Sequence, residues 1–459
     1  MDGFSSFFAI LMLCAGLFLS VRINFFQFTH LGCAIKTALG LGQKRSARSK
    51  QKFDASGVTP FQALASALGG SIGTANIAGV ASAIAIGGAG AVFYMWLAAL
   101  VGMGVKFCEI VLALRYREKR GGQWCGGAML YIEKGFRKSN TGSRFLQSVS
   151  KPLAAGFALF GLLASSVGTP LVQSNTIAMS VNDAVLLFLP KTEQKTVYII
   201  AGAVTAALVG IVILGGIQRI GKASEIIVPF MAIGYIAICI IVLSRFGSRI
   251  LPAFRDIFSG ALGIKQAVGG AAGFGAARAL RIGMARGVYS NEAGVGSAPM
   301  AHACANTNDP VKQGMYGIFE VFADTIVMCT MTALVVLASG IPLQAGGEIS
   351  GTSIALRAFS TVLPERTTGI FLAVSMLLFA YTSLLGWAVY GMQCAKYLFG
   401  KRAQLPFCIL YTVLTFAGAL MKVDFVWTAG ETLNYLMAAP NMLALLVLNR
   451  EVRRETAFA

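Results

Sequence analysis

Gly69-Gly70-Ser71-Ile72-Gly73-Thr74-Ala75-Asn76 stands inside a stretch, Pro60 to Val105, that contains no Asp, Glu, Lys or Arg. Glycine costs a helix interior about 1 kcal/mol against alanine, so this cluster marks where a helix can unwind. In a bilayer an unwound backbone leaves N–H and C=O groups unpaired at several kcal/mol each, and it persists only where it lines a polar cavity or meets a ligand. Ser71, Thr74 and Asn76 supply hydroxyl and amide groups that can bond the freed backbone or ligate a cation. Close packing of unbroken helices is the other use of such glycines, and it leaves those polar side chains unexplained.

The flanking sequence is of the same kind. Hydrophobic residues make up 56% of the chain and charged residues 12%, about half the charge of a soluble domain. Apolar runs near the ~20 residues that cross a hydrocarbon core recur throughout. They predict an all-α polytopic membrane protein of about 11 transmembrane helices. Residues 1–22 form an N-terminal span, read as retained and not as a cleaved signal, because Asp2 stands where a basic segment would be needed. A basic amphipathic connector follows over 23–59.

The net charge of +19 belongs to loops between spans, where Lys44, Arg45, Arg48 and Lys50, then Arg115, Arg117, Lys119 and Arg120, cluster. Under the positive-inside rule those loops are cytoplasmic, which argues against a nucleic-acid partner. It also predicts a multi-pass plasma-membrane protein (inner membrane in a Gram-negative source) with its N-terminus outside and C-terminus in the cytoplasm. Nine cysteines without ligand spacing and two histidines, His30 and His302, favour neither a disulfide framework, a transition-metal site nor a hydrolytic triad.

The ten later spans divide into five over 60–245 and five over 246–449, with a cytoplasmic tail at 450–459. An odd number per half inverts one half relative to the other. Gly269-Gly270-Ala271-Ala272-Gly273 echoes Gly69 to Gly73 in the corresponding span, predicting a second broken helix there. The N–H groups opened at a half-helix N-terminus favour a carboxylate, and the carbonyls of the opposing half favour a cation or ammonium. One such site can hold a zwitterion.

Further along, Arg286-Gly287-Val288-Tyr289-Ser290-Asn291-Glu292-Ala293-Gly294-Val295-Gly296-Ser297-Ala298-Pro299, with Ala301-His302 and Pro310, forms a long distinctive run. Together with Phe61-Gln62-Ala63-Leu64, Asn76-Ile77-Ala78-Gly79, Val172-Gln173, Asp324-Thr325 and Gly386-Trp387, it resembles the alanine or glycine:cation symporter family, also called the sodium:alanine symporter family. The resemblance implies a leucine-transporter-type 5+5 inverted repeat with two broken helices plus one extra N-terminal helix. It also implies symport of a small neutral amino acid (alanine, glycine, D-alanine or serine) with sodium or a proton, and no further cofactor or obligate protein partner. By the same resemblance Gly73, Thr74, Ala75 and Asn76 contact substrate or cation, Gly273, Phe274 and Ala276 face them, Gln173 and Trp387 wall the pocket, and Thr382 and Ser383 ligate the cation with Ser71. The chain departs from the family pattern at Ala75, Ala128, Met392 and Glu431.

Each residue also has a plainer reading. Asn76 caps the second half-helix, ligates the cation through its amide oxygen, or does both. Thr382 and Ser383 can back-bond to their own helix, Gln173 can bond a neighbouring helix, and Phe274 and Trp387 can be packing. Glu320 and Asp324, one helical turn apart, relay protons, ligate a cation, or pair with Arg286 or another cation. Lys106 and Glu109 read as a local ion pair, and Glu292 as part of a cytoplasmic loop that orders an inner gate. A proton-coupled permease and a non-transporting sensor are the alternatives. A channel lacks a filter or charge ring here, and an enzyme lacks a nucleophile–base set.

Overall fold

The computed structural model describes residues 2–41, 57–138, 144–263, 272–342, 351–421 and 423–457. In chain order the helices are α1 (Asp2–Arg22), α2 (Leu31–Ala38), α3 (Pro60–Ser71), α4 (Ala78–Gly87), α5 (Gly90–Tyr116), α6 (Ala128–Lys138), α7 (Arg144–Leu186), α8 (Gln194–Ile213), α9 (Gly216–Ser244), α10 (Gly247–Ala261), α11 (Ala272–Asn291), α12 (Ala298–His302), α13 (Pro310–Ser339), α14 (Gly351–Ser360), α15 (Glu365–Phe399), α16 (Gln404–Leu420) and α17 (Val423–Ala457). Eight of the described helices are long and apolar enough to cross a membrane, and shorter apolar helices, α4 among them, complete interrupted spans.

Burial separates the spans into an inner and an outer set. α5 is buried along most of its length and packs on α11 and α13, whereas α8, α9 and α16 expose Ile211, Ile226, Phe230, Ile233, Ile409 and Val413. A helix that keeps large apolar side chains on its outer face is suited to lipid, where no polar face is required. The inner spans α3 and α15 pack on each other and on α9.

The two halves meet at the ends of their broken spans. The strand of chain entering α3 and the one leaving α12 lie side by side, with the Val58 N–H donating to Cys304 O at 3.1 Å and the Asn306 N–H to Val58 O at 2.8 Å. The start of one broken span therefore lies beside the end of the other. Toward the other end α4 packs along α11, where Gly87 has no room for a side chain beside Ile282.

At the basic end a two-stranded hairpin, Glu118–Arg120 with Gln123–Cys125, follows α5. Gly121 and Gly122 both have positive φ, 58° and 77°, the requirement of the tight turn that matches strand twist. Arg117 stacks 4.0 Å above the Trp124 ring and donates to Ala303 O and Ala305 O, tying the hairpin to the chain beyond α12.

Candidate functional site

α3 begins cleanly, with Pro60 at its first turn and a capping box in which Thr59 and Gln62 satisfy each other's backbone N–H groups. It ends at Ser71. Ile72 and Gly73 are extended, Thr74–Asn76 form a single tight turn, and α4 restarts at Ala78. The predicted first interruption is where the glycines placed it.

Asn76, with no solvent exposure, holds this turn together. Its Oδ1 accepts from the Gly73 N–H at 2.9 Å, which closes the turn between the half-helices, while the N-terminus of α4 has no side-chain cap. Its Nδ2 donates to Asp324 Oδ1 at 2.7 Å and Ser290 Oγ at 3.2 Å, and its carbonyl accepts from Thr332 Oγ1 at 2.7 Å. Asp324 also accepts from Ser290 and Thr325, on a widened turn of α13, Phe322–Cys329. Such π turns shift side chains out of helical register and favour functional sites.

Gly73 is required for space. A methyl there would lie 2.7 Å from Ser383 Oγ and 3.3 Å from Gln173 Nε2. Thr74 Oγ1 donates to Gln173 Oε1 at 3.3 Å, and Ser383 Oγ donates to Gly70 O at 3.4 Å. Gly73, Thr74, Gln173 and Ser383 thus meet at one point, on α7, α15 and the first break. Thr382 back-bonds to Leu378 O and Phe379 O, both at 3.0 Å, and lies against Gly69. Ser71 back-bonds to Leu68 O.

The second interruption lies elsewhere than the glycine echo predicts. Gly269 to Ala271 lie outside the described residues, and from Ala272 to Asn291 the helix is unbroken. The break falls at Glu292–Ser297, between α11 and α12. There Glu292, Gly294 and Gly296 have φ of 54°, 85° and 84°, and Asn291 Oδ1 accepts from the Ala293 N–H at 3.0 Å. Ser290 to Met300 is buried throughout, so this run is a core element and not the predicted cytoplasmic loop. Glu292 meets Ser297 Oγ at 2.6 Å and Trp387 Nε1 at 2.8 Å instead of basic residues.

That placement corrects a second expectation. Gly273, Phe274 and Ala276 precede Ser290 by about four to five turns of the same helix, about 21–26 Å along its axis, while Ser290 is bonded to Asn76 at the first break. At the first break Asn76 instead meets Ser290 and Asp324. The side chains of Gly273 and Phe274 lie outside the described residues. Ser290 and Asp324 can be found from sequence only as polar residues in apolar spans, since their partner is more than 200 positions away.

A cavity of about 210 Å³ opens from Thr74 past Ala78, Gly79 and Ser82, with Thr176, Met179, Ser180 and Asp183 of α7, Arg286 of α11 and Gly351 and Thr352 of α14 on its walls. Ala75 is half-buried beside Gly79. Trp387 lies deeper, nearly buried, edge-on to Tyr390 at 5.4 Å.

Glu320 pairs with Lys106 at 3.2 Å and His302 at 3.1 Å, all three fully buried. Lys106 is therefore bridged to α13, not to Glu109 as its spacing predicts. Burying a lone ammonium in low dielectric is costly, and a hydrogen-bonded carboxylate makes it tolerable.

Comparison with known proteins bears on this arrangement. The family model described as the sodium:alanine symporter family matches residues 3–457. The sodium/alanine symporter AgcS of Methanococcus maripaludis is 38% identical over 451 residues, covering 97% of this chain and 92% of that one. The amino-acid carrier protein AlsT of Bacillus subtilis is 33% identical over 438 residues, covering 95% and 85%. Among solved structures, MhsT in complex with L-phenylalanine superposes with a TM-score of 0.52 at 14% identity, over 84% of this chain and 88% of that one, which shows a shared leucine-transporter-type fold. A multi-pass helical chain with two paired interruptions and this extent of likeness belongs to the sodium:alanine symporter family.

Proposed function

We propose that this protein is a secondary active symporter that takes up a small neutral amino acid, alanine or glycine first, with sodium, by alternating access across the plasma membrane. The observation that carries the reading is the junction of the two interruptions, in which Asn76 of the first break bonds Ser290 just before the second. Paired broken spans at a repeat interface are where such transporters hold their ligands. AgcS, by its name a sodium/alanine symporter, supports the choice of substrate and ion.

In this reading the substrate occupies the Thr74 end of the cavity. Its carboxylate meets the backbone of Gly73 to Asn76 at the start of α4, where the helix dipole favours an anion. Gln173 and Trp387 wall the pocket, and Glu292 fixes the indole through its N–H. Ala75 narrows the approach, which suits a small side chain. Ser71, Thr382 and Ser383 donate their protons to backbone carbonyls, leaving hydroxyl lone pairs for a cation; Thr74 and Asn76 offer further oxygens. Arg286 and Asp183 at the cavity mouth act as an outer gate. The basic end, with its hairpin, faces the cytoplasm.

The test is uptake of labelled alanine into proteoliposomes under separate sodium and proton gradients, with glycine, serine and D-alanine as competitors. Accumulation that requires sodium supports the reading. Accumulation driven by protons alone would favour the proton-coupled alternative, and binding without counterflow a sensor.

A further inference from the structure

Glu109 is fully buried on α5, and the structure turns it away from Lys106 toward the second break. Its Oε1 accepts from the Gly296 N–H at 3.1 Å and from Asn441 Nδ2 at 2.6 Å. Asn441 also donates to Gly294 O at 2.9 Å and accepts from the Tyr131 hydroxyl. Glu109 and Asn441 together hold both glycines that give the break its positive φ. Glu109 Oε2, by contrast, is buried with no hydrogen-bond partner.

The charges around it do not balance. Lys106 and Cys108 face Glu109 from its own helix, Glu320 from α13, Tyr131 from α6 and Tyr390 from α15. Glu292 of the break shares the field of Lys106, and His302 of α12 bonds Glu320. Gln313 Nε2 lies 2.8 Å from His302 Nδ1, on the side of the ring away from Glu320. The Lys106 ammonium is shared among three carboxylates, Glu109, Glu292 and Glu320. Glu320 has Lys106, and both oxygens of Glu292 have donors. Glu109 Oε2 and Glu320 Oε1 both lack a hydrogen-bond donor, but Glu320 Oε1 has the Lys106 ammonium at 3.2 Å, whereas Glu109 Oε2 has neither, which disfavours its ionised form.

We propose that Glu109 is a proton-binding site inside the membrane and that its proton sets how firmly the second interruption is held. Protonation by hydronium forms an O–H bond at Oε2, breaks one O–H bond of the hydronium, which leaves as water, and converts the carboxylate to a neutral acid. Loss of the proton turns the bonds from Gly296 and Asn441 to Oε1 into charge-assisted ones, roughly twice as strong as neutral pairs. The ionised state therefore locks the break against α5, and the neutral state releases it. The site stands on these contacts alone; its effect on transport rests on the proposed symport.

Infrared difference spectroscopy of the purified full-length protein in nanodiscs, without substrate, tests it. The C=O stretch of a protonated carboxyl, identified by its deuterium shift, is expected to fade as pH rises, to vanish in Glu109→Gln, and to titrate with a displaced midpoint in Glu109→Asp. A band that titrates identically in Glu109→Gln, the absence of any such band in the unaltered protein, or an unmoved midpoint in Glu109→Asp would overturn the proposal. In proteoliposomes, sodium-driven alanine uptake is expected to change with internal pH by up to about tenfold per pH unit on one limb, and the Gln variant to be flat. A titrating band in a protein that moves no alanine would leave the proton site standing and remove the symport reading.

Discussion

At position 73 a single hydrogen atom in place of a methyl lets α15 and α7 reach the unwound backbone. The nearest obstacle to a methyl is Ser383 Oγ at 2.7 Å, the end of a rotatable side chain. Gly73→Ala is therefore expected to fold, with the Ser383 hydroxyl displaced. Initial uptake rates should drop by roughly tenfold or more, the effect of misplacing one liganding group by about 1 Å, while the melting temperature in detergent changes little. Lys106→Met has the opposite signature. It leaves Glu320 buried without its ammonium and is expected to cost about 3–5 kcal/mol, read as a fall in melting temperature that is largely recovered in Lys106→Met/Glu320→Leu. Lys106 also shows what local spacing conceals. Glu109, three residues away, is the sequence neighbour, but Glu320 is the partner, and nothing within one helix specifies a contact across 214 positions.

Among elements, the two breaks differ in how visible they are. The first announces itself through glycines and polar residues in an uncharged run. The second is made by an Asn291 side chain standing in for a backbone acceptor, a left-handed Glu292 and two left-handed glycines, and a glycine count alone moves it to Gly269–Gly273. The run that served as a family signature was itself the missing element. Its glycines are sterically obligatory: at Gly296 a methyl would lie 2.9 Å from the Phe157 ring and 3.1 Å from Asn441, at a φ of 84°. Gly296→Ala is expected to abolish uptake and to lower stability by several kcal/mol, measured as loss of monodisperse protein on size-exclusion chromatography. Asn76→Ala, which removes the bond from the Gly73 N–H and the link to Ser290, should weaken sodium dependence; an unchanged sodium titration would take Asn76 out of the site.

Over the whole molecule, hydropathy and the distribution of charge made the membrane class readable. That the start of one broken span lies beside the end of the other shows only in tertiary contacts such as Val58 with Cys304 and Asn306. At the basic end, Glu118 bonds Lys134 and Arg120. Burial raises its pKa, but those two cations outweigh burial and hold the carboxyl below its ordinary range. A carboxylate with a depressed folded-state pKa contributes stability above its unfolded pKa and loses it as pH falls through the folded one. Thermal stability should therefore decline on acidification below the ordinary carboxylate range, and less so in Glu118→Gln. The account as a whole turns on coupled transport. The measurement that tests it most directly is labelled alanine accumulation in proteoliposomes with an inward sodium gradient, compared with no gradient of sodium or protons. Accumulation above equilibrium with sodium alone is the predicted result, and equal uptake with and without both gradients would contradict it.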